Sequence, residues 1–115
     1  METLIEGSMK FVIDGRTYDT ATSTQAAIYR GAADRLSYGY DLPPDAATVR
    51  YEHVLYRTAK GAFFVHVHET SKGRSGKPVV EDRADAYTPE EAVKWIESHS
   101  AMVLDPAGLP LPDEA

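Results

Sequence analysis

The sequence contains no cysteine, which excludes disulfide bonds, thiolate metal ligands and a cysteine nucleophile. It has no apolar run that approaches the roughly 20 residues of a membrane-spanning helix, and its N-terminus lacks a basic-then-apolar signal pattern. Positive charge is scarce, because 12 Lys and Arg residues stand against 18 Asp and Glu residues and leave a net charge of −6. We therefore expect a cytoplasmic protein that does not enter a membrane, and the charge argues against nucleic acid as its first partner.

The composition predicts one globular domain with an extension at each end. A chain of 115 residues with 43% hydrophobic and 26% charged residues can build a modest core. Residues 1–8 precede the first strand pattern and end in Gly7-Ser8, so we expect an expression tag or an upstream extension there. Residues 105–115 carry three prolines and only acidic charges, which predicts a flexible tail. The single α+β domain is expected to span residues 9–104.

A tight hairpin is predicted at the start of this domain. Asp14-Gly15 separates the strand-like runs 10–13 and 16–19, and this dipeptide tolerates the positive φ angles of a type I′ turn. A two-residue loop sets Phe11 opposite Tyr18, and we expect both rings in the core.

A short helix is expected after the first hairpin. Thr22 or Ser23 offers a capping hydroxyl, and residues 24–30 are helix-permissive. Gly31 weakens the continuation, although the helix could extend to Leu36 after a kink.

Residues 37–47 are predicted to form a loop, because they contain a glycine and a proline pair. Tyr38 and Tyr40 lie in this loop, and two interpretations of them stay open. Their rings either pack onto the sheet or form an exposed pair that contacts a partner, since tyrosine is enriched in interface hot spots.

Residues 49–69 are predicted to form a central hairpin, and they hold three of the four histidines. If residues 59–61 make a three-residue loop with a bulge, His66 and His68 share one face of the sheet and His53 points to the other. We favour this register.

A two-residue loop would slip one strand by a residue and place His53 across from His68, with His66 on the same face. Three imidazoles in that arrangement could hold zinc and leave a position for water, as in a metal-dependent hydrolase. The favoured register separates the three rings, so a zinc protein is only the second alternative, and no cofactor is predicted.

Residues 71–78 are predicted to form a flexible basic loop that contains Lys72, Arg74 and Lys77 and no acidic residue. It is not a nucleotide-binding loop, because the Walker spacing fails and Pro78 stands where a Ser or Thr is needed. It is either a solvated hairpin connection or a cationic finger that touches phosphate or an acidic protein surface. One more strand is expected from Val79-Val80 and residues 83–87.

The C-terminal helix has the clearest local signals. Thr88 is a capping residue, Pro89 suits the first helical position, and Glu91 completes a capping box. Its apolar spacing, with Trp95 on the flank, predicts one face packed on the sheet. Residues 102–104 could add a short edge strand.

Three segments of the chain, in this order and spacing, resemble the pattern of a known family: MKFVIDGRTYDTATS (9–23), LYRTAKGAFFVH (55–66) and TPEEAVKWIESH (88–99). The chain resembles small uncharacterised proteins carried by phages and bacterial mobile elements. It departs from their pattern where residues 66–70 replace a glycine-rich stretch. The resemblance implies an accessory role for a mobile element, such as binding and blocking host machinery in the manner of anti-CRISPR inhibitors, and it carries over no catalytic residue.

These observations predict an α+β fold: a small antiparallel sheet of about four strands in two hairpins, with a C-terminal helix on one face and a short helix after the first hairpin. The leading hypothesis is a non-enzymatic module that binds a host or phage protein, as a monomer or homodimer. Nucleic-acid binding through the basic loop is the first alternative. Exposed aromatic and cationic side chains carry interface energy, and the contact candidates are Tyr38, Tyr40, Arg57, Phe64, Lys72, Arg74 and Lys77.

Overall fold

The computed structural model describes residues 8–34, 46–73 and 78–112. Its elements are β1 (Lys10–Ile13), β2 (Arg16–Asp19), a 3-10 turn (Thr20–Thr22), β3 (Thr24–Asp34), β4 (Ala46–Arg57), β5 (Phe63–Gly73), β6 (Pro78–Tyr87), α1 (Pro89–His99) and β7 (Met102–Val103). β1 and β2 form a two-stranded sheet, and the other strands form an antiparallel sheet in the order β6-β5-β4-β3-β7. The α+β class is confirmed, with a larger sheet than the four strands expected.

The first hairpin is confirmed in its turn and its register. Asp14 and Gly15 adopt φ angles of 50° and 77°, and Phe11 pairs with Tyr18 across the two strands. The strands are held together locally, because the turn fixes which residues face each other.

The helix predicted over residues 24–30 is wrong, and β3 occupies that region. β3 pairs along its length with β4 on one side and at Ala27 and Ile28 with β7 on the other. Residues 24–30 have no strong helix signal beyond a capping hydroxyl, and the backbone of β4 offers a long row of hydrogen-bonding partners. Tertiary pairing therefore overrides a weak helical preference. Thr22 and Ser23 cap no helix and instead end the 3-10 turn, whose N-cap is Asp19, with its carboxylate accepting from the Ala21 N–H at 2.9 Å.

The central hairpin has the favoured three-residue loop, and the two-residue alternative is wrong. Gly61 has a φ of 88°, and the Thr58 N–H donates to the Ala62 carbonyl at 2.8 Å. His53 on β4 consequently pairs with Val67. Its side chain lies on the face opposite to those of His66 and His68 on β5.

β5 and β6 form a second long hairpin, with Lys72 paired to Pro78. Residues 71–73 are thus the end of a strand rather than the start of a loop. Residues 74–77, which hold the rest of the predicted basic loop, lie outside the described residues, and the two short runs expected after it belong to the single strand β6.

α1 has the predicted capping box, in which the Glu91 N–H donates to the Thr88 hydroxyl at 3.1 Å and the Thr88 N–H donates to the Glu91 carboxylate at 3.0 Å. Pro89 lies at the start of the helix, and Trp95 is among the residues buried on its inner side. The predicted edge strand is also confirmed, since β7 pairs with β3.

Different parts of the chain cover the two faces of the five-stranded sheet. α1 covers one face, here called the helix face, where the buried core is Ala26, Ala27, Leu55, Phe63, Val65, Val67, Ala92, Trp95 and Ile96. The β1–β2 hairpin covers the other, the hairpin face, where the core is Tyr18, Ile28, Val54, Tyr56 and Phe64, with Phe11 and Ile13 packed against it. The chain thus buries its own apolar surface on the hairpin face, and no second copy is needed to cover it.

Residues after β7 return to the start of the β4–β5 loop. The Arg57 guanidinium donates to the Asp105 carboxylate at 3.1 Å and to the Ala107 carbonyl at 2.9 Å. Leu109 packs against the core of the helix face. These contacts hold the beginning of the acidic, proline-rich segment on the sheet.

Candidate functional site

Two histidines and an aspartate converge on the hairpin face because of strand periodicity and register. His66 and His68 are alternate residues of β5, so they project from the same face. Asp82 lies on the neighbouring strand β6, directly paired with His68. These three residues are called the His–Asp cluster below.

The cluster is tight and centres on one carboxylate oxygen. His66 Nε2 lies 2.8 Å from Asp82 Oδ1, and His68 Nδ1 lies 2.7 Å from the same atom. One potential ligand atom from each residue lies within 4.8 Å of the others. The His66 side chain is fully buried, whereas those of His68 and Asp82 are 13% and 17% exposed. Within the cluster, solvent therefore reaches His68 and Asp82.

The protonation state of the cluster follows from its surroundings. Burial lowers the pKa of His66, while the hydrogen bond and charge of Asp82 act in the opposite direction. Burial by itself raises the pKa of Asp82, but the hydrogen bonds from His68 and His66 outweigh it and leave that pKa below its usual range. Asp82 is therefore ionised at neutral pH and can only accept. Both imidazoles must then donate an N–H to it, and His66 Nδ1 is the deprotonated nitrogen.

Three further groups surround the cluster. The Phe11 ring from the hairpin lies 5.0 Å from the His66 ring and shields it. Glu52 is fully buried on β4, where it pairs with His68 and is thus diagonal to His66. The Arg30 guanidinium lies 3.8 Å from the Glu52 carboxylate. A second buried carboxylate thus lies on the same face, and its charge opposes the lowering of the His66 pKa.

His53, the third histidine of the predicted zinc site, is excluded from this cluster by the hairpin register. It lies on the helix face, with the rings of Tyr51, Tyr29 and His99 at 5.6, 5.8 and 6.1 Å. Burial lowers the pKa of His53 to about 4, with the charges of His99 and Arg83 in support and that of Glu69 opposed. The prediction of a zinc site made of His53, His66 and His68 is therefore wrong.

Sequence reasoning missed Asp82 as a member of the cluster. The strand expected from Val79-Val80 and residues 83–87 left out Asp82, so the residue opposite His68 could not be named. The available signal was the alternation of Asp82, Ala84 and Ala86 along β6, which places these residues on the hairpin face.

The predicted contact residues fall into two groups. Phe64 is completely buried, and its ring stacks on that of Tyr56 at 5.1 Å. The prediction that Phe64 is an exposed contact residue is therefore wrong. Arg57 is 19% exposed and is engaged with Asp105. Lys72 lies near the end of β5. The remaining four candidates, Tyr38, Tyr40, Arg74 and Lys77, lie outside the described residues.

No known protein family, curated protein or solved structure matches this chain. Among the described residues, no helix combines the length and apolar character that crossing a bilayer requires. Arguments about function therefore rest on the geometry of the chain itself.

Proposed function

We propose that this chain is a metal-binding protein that holds one divalent transition-metal ion, best Zn²⁺, at the His–Asp cluster. The observation that supports this is the convergence of His66 Nε2, His68 Nδ1 and an Asp82 oxygen within 4.8 Å. Two imidazoles and one carboxylate suit zinc and its neighbours in the first transition row, while Mg²⁺ and Ca²⁺ prefer oxygen ligands alone.

The present distances are those of hydrogen bonds and must increase slightly for a metal. Ligand atoms around a tetrahedral zinc, each about 2.0–2.1 Å from the ion, lie about 3.3 Å apart. The nitrogen–oxygen separations of 2.8 and 2.7 Å would therefore widen by about 0.5 Å. Small rotations of His68 and Asp82, the two partly exposed members, suffice for this change.

Metal binding also requires a change of tautomer at both histidines. The ion takes the lone pairs of His66 Nε2 and His68 Nδ1, so the ring protons move to His68 Nε2 and to His66 Nδ1, and the latter nitrogen is buried without a hydrogen-bond partner among the described residues. Glu52 lies diagonal to His66 on the same face and is the residue we expect to accept that proton's hydrogen bond. Carboxylates in this supporting role fix the imidazole and strengthen metal binding.

Three protein ligands leave a fourth position of a tetrahedral ion for water or for an outside donor. We expect that position to lie beside His68 and Asp82, the two partly exposed ligands. The ion would hold β6 against β5 and present one exchangeable site at the edge of the sheet.

The test is a zinc titration of the purified chain after chelator treatment, followed by calorimetry. We expect one ion per chain, and His68→Gln or Asp82→Asn should weaken binding by about 10–100-fold. His99→Gln is the matched control, because this histidine lies on α1 and should leave the affinity unchanged. A folded chain that takes up no zinc would show that the cluster is only a hydrogen-bonded link between strands.

A second candidate function is protein binding at the outer edge of β6, as expected for a mobile-element accessory protein that blocks a host or phage protein. β6 is a ten-residue edge strand, and Val79 and Val80 are 40% and 54% exposed on it. Edge strands of this length accept an added strand from a partner.

A pull-down from host lysate, with and without nuclease, tests this second candidate. A stoichiometric protein that survives nuclease and is lost on Val80→Lys supports it, with Val12→Lys on β1 as the exposed control. Recovery of nucleic acid alone would instead favour the basic residues of the β5–β6 connection.

A further inference from the structure

A second site is suggested by a cleft of about 650 Å³ between the β1–β2 hairpin and the β4–β5 loop. Its lining includes Arg16, Thr17 and Tyr18 from β2, Thr22 from the 3-10 turn, and Thr58 and Lys60 from the loop. A volume of this size falls within the range of about 300–1,000 Å³ that is typical of small-molecule sites. None of these residues belongs to the His–Asp cluster.

The charge of the cleft is opposite to that of the whole protein. Arg16 and Lys60 are both exposed at its walls, and none of the described residues that line it is acidic. The chain as a whole carries a net charge of −6. Two cations without a neighbouring acid in the lining, inside a concave surface, create a local positive potential that attracts anions.

The cleft also offers more hydrogen-bond donors than a carboxylate ligand can use. A guanidinium has five N–H donors and an ammonium has three, and the hydroxyls of Thr17 and Thr58 add to them, whereas the Thr22 hydroxyl donates to the Asp19 carbonyl at 3.5 Å. The Thr58 hydroxyl oxygen accepts from the Ala62 N–H at 3.0 Å, which orients the group and directs its proton elsewhere. A phosphate group, with three terminal oxygens, matches this set better than a carboxylate does.

A buried aromatic ring lies in the lining of the cleft. Tyr18 is 7% exposed, and its ring packs edge-on against Phe64 at 5.3 Å. The space is much larger than a bare phosphate ion needs, and the edge of a fixed aromatic ring gives an organic group a surface to contact.

We infer that this cleft binds a small phosphorylated organic molecule, with its phosphate between Arg16 and Lys60 and its organic part toward Tyr18. This site is separate from the proposed metal centre, so either can fail without the other.

The test is calorimetric titration with adenosine monophosphate as the probe, beside adenosine and inorganic phosphate. We expect adenosine monophosphate to bind with a Kd of about 1 mM or tighter, and each half of the probe to bind at least about tenfold more weakly. Binding should also weaken as salt is added, because both cations are exposed.

The variant that tests the assignment is Arg16→Gln combined with Lys60→Gln, which should lower the affinity by about tenfold or more. Its matched control is Arg50→Gln with Lys94→Gln, two exposed cations outside the cleft, and the control should bind as the parent chain does. Circular dichroism checks that both double variants are folded. Three results would overturn the inference: the parent chain does not bind adenosine monophosphate, it binds adenosine or inorganic phosphate equally well, or the variant with both cleft substitutions binds adenosine monophosphate as the parent chain does.

Discussion

Replacement of His53 by phenylalanine should remove a defined part of the pH dependence of stability. The His53 ring is packed among three aromatic rings on the helix face, and its Nε2 is buried without a hydrogen-bond partner among the described residues. Burial therefore lowers the pKa of His53 to about 4 from its ordinary value of 6.5. Phenylalanine keeps a ring of similar size in that position and cannot take up a proton.

The direction of the effect follows from which state binds the proton first. Below pH 6.5 the unfolded chain protonates His53, while the folded chain does so only near pH 4. The free energy of unfolding is therefore unaffected by His53 protonation above about pH 6.5, and it decreases as the pH falls from there toward 4. The full gap of about 2.5 pKa units corresponds to at most about 3.4 kcal/mol. Because His53 is partly exposed, solvent screens the penalty, and we expect about 1–2 kcal/mol.

The assay is urea unfolding of the parent chain and of His53→Phe at several pH values between about 7.5 and 4.5. The difference between their free energies of unfolding should change in favour of the variant as the pH falls. His66 also has a lowered pKa, but it is present in both proteins and cancels in that difference. Parallel pH profiles for the two proteins would refute the burial argument for His53.

Two further predictions concern stability at neutral pH, measured by the same unfolding assay. Thr88→Ala removes the hydroxyl of the capping box and should cost about 1 kcal/mol, and Thr88→Ser should restore most of it; no loss in the alanine variant would contradict the cap. Gly31→Ala places a Cβ 2.7 Å from the Tyr51 hydroxyl and should cost about 1–2 kcal/mol, because the Tyr51 ring is also stacked on Tyr29. Unchanged stability would show that the tyrosine pair moves away freely.

The features that could be predicted from the sequence are those fixed by neighbouring residues. The Asp14-Gly15 turn sets the register of the first hairpin, and Gly61 sets that of the central hairpin through its positive φ. The capping box at Thr88 likewise needs only residues within one helical turn. In each case the determinant and its consequence lie within a few residues of each other.

The features that were missed depend on residues far apart in the chain. Residues 24–30 form a strand because β4 pairs with them across more than twenty intervening residues, and their local sequence does not report that pairing. Phe64 was expected at the surface because the path of the β1–β2 hairpin over this face was unknown. Asp82 joins His68 only through the register of the β5–β6 hairpin, which the length of a glycine-containing connection does not determine.

The most direct test of the metal centre is an anomalous difference map from crystals of the zinc-loaded chain, collected at the zinc absorption edge. The proposal predicts one peak bounded by His66, His68 and Asp82, about 2.0–2.1 Å from each imidazole nitrogen and about 2.0–2.2 Å from the carboxylate oxygen. A map without a peak there, with the nitrogen–oxygen contacts still at 2.7 to 2.8 Å, would contradict it.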